Sequence, residues 1–118
     1  MDISTIIIIT VFILFFVIKS MSQINSDKAK ELIQQGAVIV DVRTPGEFAG
    51  GSIKNAINLP LDDIANLASK QLPDRNQPIL VFCLSGTRSA MAKTVLSRSG
   101  YTNVHNLGSF MRARSIAG

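Results

Sequence analysis

The chain opens on an apolar run and then changes pattern. "ISTIIIITVFILFFVI", Ile3 to Ile18, holds no charge, and its only polar members are Ser4, Thr5 and Thr10. Wound as a helix it spans roughly 24 Å at about 1.5 Å per residue, near the lower limit for a hydrocarbon core of about 30 Å. The pattern predicts one transmembrane helix within residues 1–20, with Lys19 reaching back to the interface. A cleaved signal peptide is the alternative, because Ser20 to Ser22 offers small residues in a cleavage pattern. Against it, Asp2 and no Lys or Arg precede the run. Lys19, Lys28 and Lys30 follow it, which favours a retained single-pass membrane anchor with the rest of the chain on the cytoplasmic side.

Past the polar joint "SQINS", residues 21–118 alternate helical and strand patterns and read as one domain. Ser26 is expected to cap a helix whose Ala29, Leu32 and Ile33 share a face, with Gly36 as its stop. "AVIVD", ending at Asp41, is a near-continuous β-branched run, as in a strand buried on both faces. Thr44, Pro45 and Glu47 form a capping box with proline at the first helical position. "NAINLP" reads as a short strand ended by Pro60, and Leu61, Ile64, Ala65 and Ala68 follow at helical spacing. "PILVF", Pro78 to Phe82, is a second buried strand. Arg88 to Ser99 then pairs Met91 with Val95 and Ala92 with Leu96 at i,i+4, stopping at Gly100. "NVHNL" is a last strand and "SFMRARSIAG" a short terminal helix.

Strand and helix repeated in this way predict an α/β fold in three layers. Its central, mostly parallel sheet of four to five strands is flanked by helices on both faces, and the transmembrane helix precedes it. Ligands of such sheets sit at the carboxyl ends of strands. Asp41 and Cys83 both fall at such ends and are expected to share one edge.

Charge narrows the partners. Lys and Arg total 12 against 8 Asp and Glu, a net charge of +4. Asp74 is the last acidic residue, while Arg75, Arg88, Lys93, Arg98, Arg112 and Arg114 come later. Such a half attracts small anions or simply solubilises the surface. No aromatic residues are interleaved with these cations and no basic cluster occurs, which argues against nucleic acid. One cysteine excludes an intrachain disulfide, and one cysteine with one histidine falls short of the ligands a zinc site takes. No metal or cofactor is expected.

Cys83 is left as either a buried filler or a reactive thiol. Its surroundings, "VFCLSGTRSAMA", favour reactivity. Ser85, Gly86 and Thr87 are small enough for successive backbone N–H groups to curl into a nest. A helix beginning near Arg88 turns its positive end toward the same space, and Arg88 adds a permanent charge with a fork suited to an oxyanion. Together these lower a thiol pKa without a neighbouring base.

The stretches "VIVDVRTPGEFAGGSIKNAINLP" and "ILVFCLSGTRSAMAKTVLSRSGYTNVHNLG" resemble a single-domain rhodanese, a sulfurtransferase, over about Ile24 to Gly108. The resemblance implies that Cys83 takes the outer sulfur of a small anionic donor such as thiosulfate. It then carries that sulfur as a persulfide and passes it to cyanide or to a thiol acceptor. Leu84, Ser85, Gly86, Thr87 and Arg88 would cradle the persulfide and the donor oxygens, with Arg88 as main charge partner. Asp41 and Arg43 would support the loop. Ser89 would either cap the helix or donate toward the thiolate. Ser52 stands where the family usually has histidine, and a single Gly108 stands where a glycine pair is common. Phe110 is then available as the aromatic residue of the terminal helix.

Four residues separate Cys83 from Arg88, whereas tyrosine phosphatases use five, sized for a tetrahedral phosphate. The count favours sulfur transfer over a phosphatase or arsenate reductase. A regulatory or docking module that presents the thiol to a membrane partner is the non-enzymatic alternative. Glu47 is accounted for by its capping box and His105 as a packed or surface residue.

Overall fold

The computed structural model describes residues 1–20 and 22–118, with residues 18–20 as backbone only. The Ser20–Ser22 cleavage pattern includes Met21, which lies outside the described residues, as does the side chain of Lys19.

The N-terminal run forms helix α1, Ile3–Ser20. All its described side chains are exposed, Ile3 at 75% and Phe12 at 72% among them. Among the described residues, however, no helix is long and apolar enough to cross a membrane. The expectation of a transmembrane helix is therefore not supported by the described residues. The uncharged stretch ends with Ile18, and at about 1.5 Å per residue it stops short of a ~30 Å hydrocarbon core.

Helix α2, Ser26–Gln34, is capped one residue earlier than expected. Asn25, not Ser26, accepts from the backbone N–H groups of Asp27 and Lys28, at 2.9 and 3.2 Å. Strand β1, Val38–Asp41, leads to helix α3, Pro45–Ala49, which carries the full capping box. Thr44 accepts from the Glu47 N–H, and Glu47 accepts from the Thr44 N–H. Strand β2, Ile57–Asn58, helix α4, Ile64–Gln71, and strand β3, Ile79–Cys83, follow. Helix α5, Thr87–Arg98, then begins one residue before the expected Arg88. Strand β4, Val104–Ser109, and helix α6, Phe110–Ala117, complete the chain.

Among the described residues the sheet has four strands, all parallel, in the order β2-β1-β3-β4. Alternation along β3 divides the core into two layers. Ile79, Val81 and Cys83 face one side, with Ile64, Leu72, Ala92 and Leu96 of α4 and α5 and the residues that end them. Leu80 and Phe82 face the other, with Ala29, Leu32 and Ala113 of α2 and α6. Helices therefore cover both faces, as the unbroken burial of β3 requires. The chain leaves β1 toward β2 and leaves β3 toward β4, so it winds in opposite directions from the central pair. The crevice at such a reversal is where open α/β sheets bind ligands. The carboxyl ends of β1 and β3 meet there, with Asp41 in register with Phe82.

Candidate active site

Cys83 is the last residue of β3, and period-two alternation turns its side chain beneath the start of α5. The chain reverses into α5 through Gly86, whose φ of +98° suits a residue without Cβ. A Cβ there would meet the Gly108 backbone only at ordinary contact distance, 3.6 Å, so it is the positive φ that calls for glycine.

That reversal aims donors at sulfur. The Gly86 N–H lies 3.0 Å from Cys83 Sγ, the Ser89 N–H 3.4 Å and the Ser89 hydroxyl 3.5 Å. Ser89 is fully buried, and its hydroxyl also lies within donating distance of the Gly86 carbonyl, at 3.0 Å. Burial pushes the Cys83 thiol up. The Ser89 hydroxyl and the N–H groups of Ser89, Gly86 and Ser85 more than offset this, leaving it below the ordinary cysteine value. The thiol itself is closed to solvent, beneath a loop on which Leu84, Ser85 and Thr87 are exposed.

Arg88 is turned elsewhere. Its guanidinium donates twice to Glu47, at 2.7 and 3.0 Å, forming a bidentate ion pair about one-third exposed on each side. Arg88, with the hydrogen bonds it gives Glu47, and the Thr44 N–H hold the Glu47 carboxyl down at about 2. Glu47 thus does more than cap α3: it ties α3 to the start of α5, beside the Cys83 loop. Sequence reasoning assigned it only the cap, because the ion pair spans forty-one positions.

Asp41 and Arg43 come together, but with each other. Arg43 donates from Nε and Nη2 to the Asp41 carboxylate, at 3.0 and 2.7 Å, and both side chains are buried. Ser52 donates to Asp41 and Arg43 donates to the Gly51 carbonyl, so the pair braces the turn before β2. The Arg43 guanidinium also lies over the Phe110 ring at 4.6 Å. Among the described hydrogen bonds, none joins Asp41 or Arg43 to the Cys83 loop. Their support passes through the β1–β3 pairing and the terminal helix.

Asn106 braces the loop from behind and was not singled out from the sequence. It is buried in β4, donates to the Gly86 carbonyl at 3.3 Å and accepts from the Gly108 N–H at 3.0 Å. The one available signal was an amide set between the apolar residues Val104 and Leu107 of the strand. The Phe110 N–H donates to the Leu84 carbonyl, fixing the other end of the loop. His105 is half-buried against Asn103, and burial, then Lys93 and Lys28, lower its pKa.

A cysteine thiol lowered by a nest of loop N–H groups, at the reversal point of a four-stranded parallel sheet, is matched by one family model. The rhodanese-like domain covers residues 25–113. The chain belongs to the rhodanese family. Among its relatives, thiosulfate sulfurtransferase PspE of Escherichia coli K12 is 38% identical over 69 residues, covering 58% of this chain and 66% of that protein. Thiosulfate sulfurtransferase GlpE of Haemophilus influenzae PittEE is 35% identical over 88 residues, covering 75% of this chain and 82% of its own length. A solved structure described as a rhodanese with anions from E. coli superposes with a TM-score of 0.63 at 34% identity. It covers 65% of this chain and 91% of that one. A rhodanese domain with a single cysteine and relatives named as sulfurtransferases agrees with the enzyme class expected from the loop.

Proposed function

We propose that the chain moves sulfane sulfur from thiosulfate or a related persulfide donor to a thiol or cyanide acceptor through a persulfide on Cys83. The observation that carries this reading is the loop's convergence of N–H and O–H donors on Cys83 Sγ. Those donors favour the thiolate, which is the nucleophile. The thiolate attacks the outer sulfur of thiosulfate, a new S–S bond forms, and the old one breaks with its electron pair leaving on sulfite. An acceptor nucleophile then attacks the outer sulfur of the Cys83 persulfide. The acceptor–sulfur bond forms, the persulfide S–S bond breaks, and the thiolate returns. No external oxidant or reductant is needed, and the two half-reactions give ping-pong kinetics. In this scheme residues 84–88 cradle the transferred sulfur and the donor oxygens, Ser89 supports the thiolate, and Asp41 and Arg43 hold the frame.

On the same reading residues 21–118 form the catalytic unit and residues 1–20 a tether. The support for the tether is a helix whose residues 3–18 carry no charge and whose described side chains are all exposed. Its place is at a lipid bilayer, and Lys28 and Lys30, which follow it, favour an anionic cytoplasmic leaflet.

Purified chain supplied with thiosulfate and cyanide should release thiocyanate and sulfite in equal amounts, and Cys83→Ser should release neither. Absence of thiocyanate from the wild-type chain would overturn the reading. The chain should also float with anionic vesicles, and a variant carrying Ile8→Asp and Phe12→Asp should stay in the dense fraction. Equal flotation of both would remove the tether.

A further inference from the structure

The sulfur of Cys83 receives hydrogen bonds from its own loop and from Ser89, while the loop's full positive charge is already engaged. Arg88 gives both arms of its fork to Glu47, at 2.7 and 3.0 Å. Glu47 is itself held by the Thr44 N–H and hydroxyl, each at 3.1 Å. The carboxylate is therefore fixed in place before any solute arrives. The pair is one-third exposed, and Arg88 also lines a pocket of about 120 Å³ whose wall includes Thr44, Leu61 and Asp62. An anion reaching the loop by this side meets a neutralised guanidinium and a second carboxylate.

We infer that Glu47 sets donor specificity: its carboxylate occupies the Arg88 fork, so a doubly charged sulfur donor gains that fork only by displacing it, and donors of lower charge are favoured. The inference rests on the sulfurtransferase reading above and adds the charge class of the donor to it. Glu47→Gln tests it cleanly, because glutamine at this position still accepts from the Thr44 N–H and keeps the α3 cap.

The experiment measures steady-state kinetics of the full chain with cyanide as acceptor. The donors are thiosulfate, with two negative charges, and an arenethiosulfonate, with one. Releasing a partly exposed fork from one carboxylate is expected to lower the KM for thiosulfate about fivefold and that for the arenethiosulfonate about twofold, with kcat moving less than KM. Glu47→Asp, which keeps the charge, should leave the ratio of the two KM values near that of the wild type. A rise in the thiosulfate KM of Glu47→Gln, or an equal change for both donors, overturns the inference. If the wild-type chain turns over neither donor, the sulfurtransferase reading fails by itself. Calorimetric titration of thiosulfate into Cys83→Ser, with and without Glu47→Gln, then decides the role of Glu47: tighter binding with glutamine supports it, and equal or weaker binding overturns it.

Discussion

Ser89→Ala isolates one of the donors that favour the Cys83 thiolate. The residue is fully buried, and its hydroxyl hydrogen has two acceptors within reach, Cys83 Sγ at 3.5 Å and the Gly86 carbonyl at 3.0 Å. The Ser89 and Gly86 N–H groups stay in place, so the variant removes one donor, the hydroxyl, and leaves the backbone donors intact. A hydrogen bond to a charged acceptor is worth roughly 1.5–3 kcal/mol, and sharing the hydroxyl hydrogen with the nearer Gly86 carbonyl puts this one below that range, at about 1 kcal/mol. That is about a fivefold loss of thiolate at a pH where the thiol is mostly protonated. The remaining thiolate is the better nucleophile, since reactivity rises with basicity at a Brønsted slope of about 0.4–0.5. The two effects leave the rate of iodoacetamide alkylation about two- to threefold lower. The assay is the pH–rate profile of alkylation, which should also shift to higher pH. An unchanged profile would mean that the hydroxyl hydrogen belongs to Gly86, and would refute this account of the thiolate's stabilisation.

Other consequences concern the frame around the loop. Asp41→Asn leaves the Arg43 charge buried without its counterion and should cost about 3–5 kcal/mol in urea unfolding; a loss below 1 kcal/mol would show that the pair is not the brace described. Tyr101→Phe removes the buried bond from the Tyr101 hydroxyl to the Leu72 carbonyl, at 2.7 Å, and should cost about 1–3 kcal/mol. Glu47 is held at about 2 when folded, against an ordinary 4.5. Because the folded value is the lower one, its stabilisation is complete above the ordinary value and disappears as pH falls from about 4.5 through about 2. Glu47→Gln should flatten stability across that window, and an unaltered pH dependence would contradict the assignment.

The strand and helix pattern was legible because its punctuation is local. Thr44-Pro45-Gly46-Glu47 carries its own cap, and the β-branched runs before Asp41 and Cys83 need cover on both faces. The thiol loop was legible for the same reason, since small residues and a following helix within seven positions of one cysteine define it. What was hidden depends on long-range register. Nothing local says that Arg88 will choose Glu47 over the sulfur; that follows only when β1 and β3 lie side by side and bring the starts of α3 and α5 together. Asn106 reaches Gly86 across the β3–β4 pairing in the same way. The cap of α2 moved by one residue because Asn25 and Ser26 are both good caps, and the Asn25 side chain reaches two N–H groups at once. The N-terminal run was read correctly as an apolar helix, whereas the membrane crossing expected of it finds no support among the described residues.

The central claim, that Cys83 carries sulfur, is tested most directly by intact-mass spectrometry of the chain after brief incubation with thiosulfate and without any acceptor. The account predicts a gain of one sulfur atom, located on the peptide containing Cys83, removed by cyanide and absent from Cys83→Ser. A wild-type mass that stays unchanged, or a gain that persists in Cys83→Ser, would contradict it.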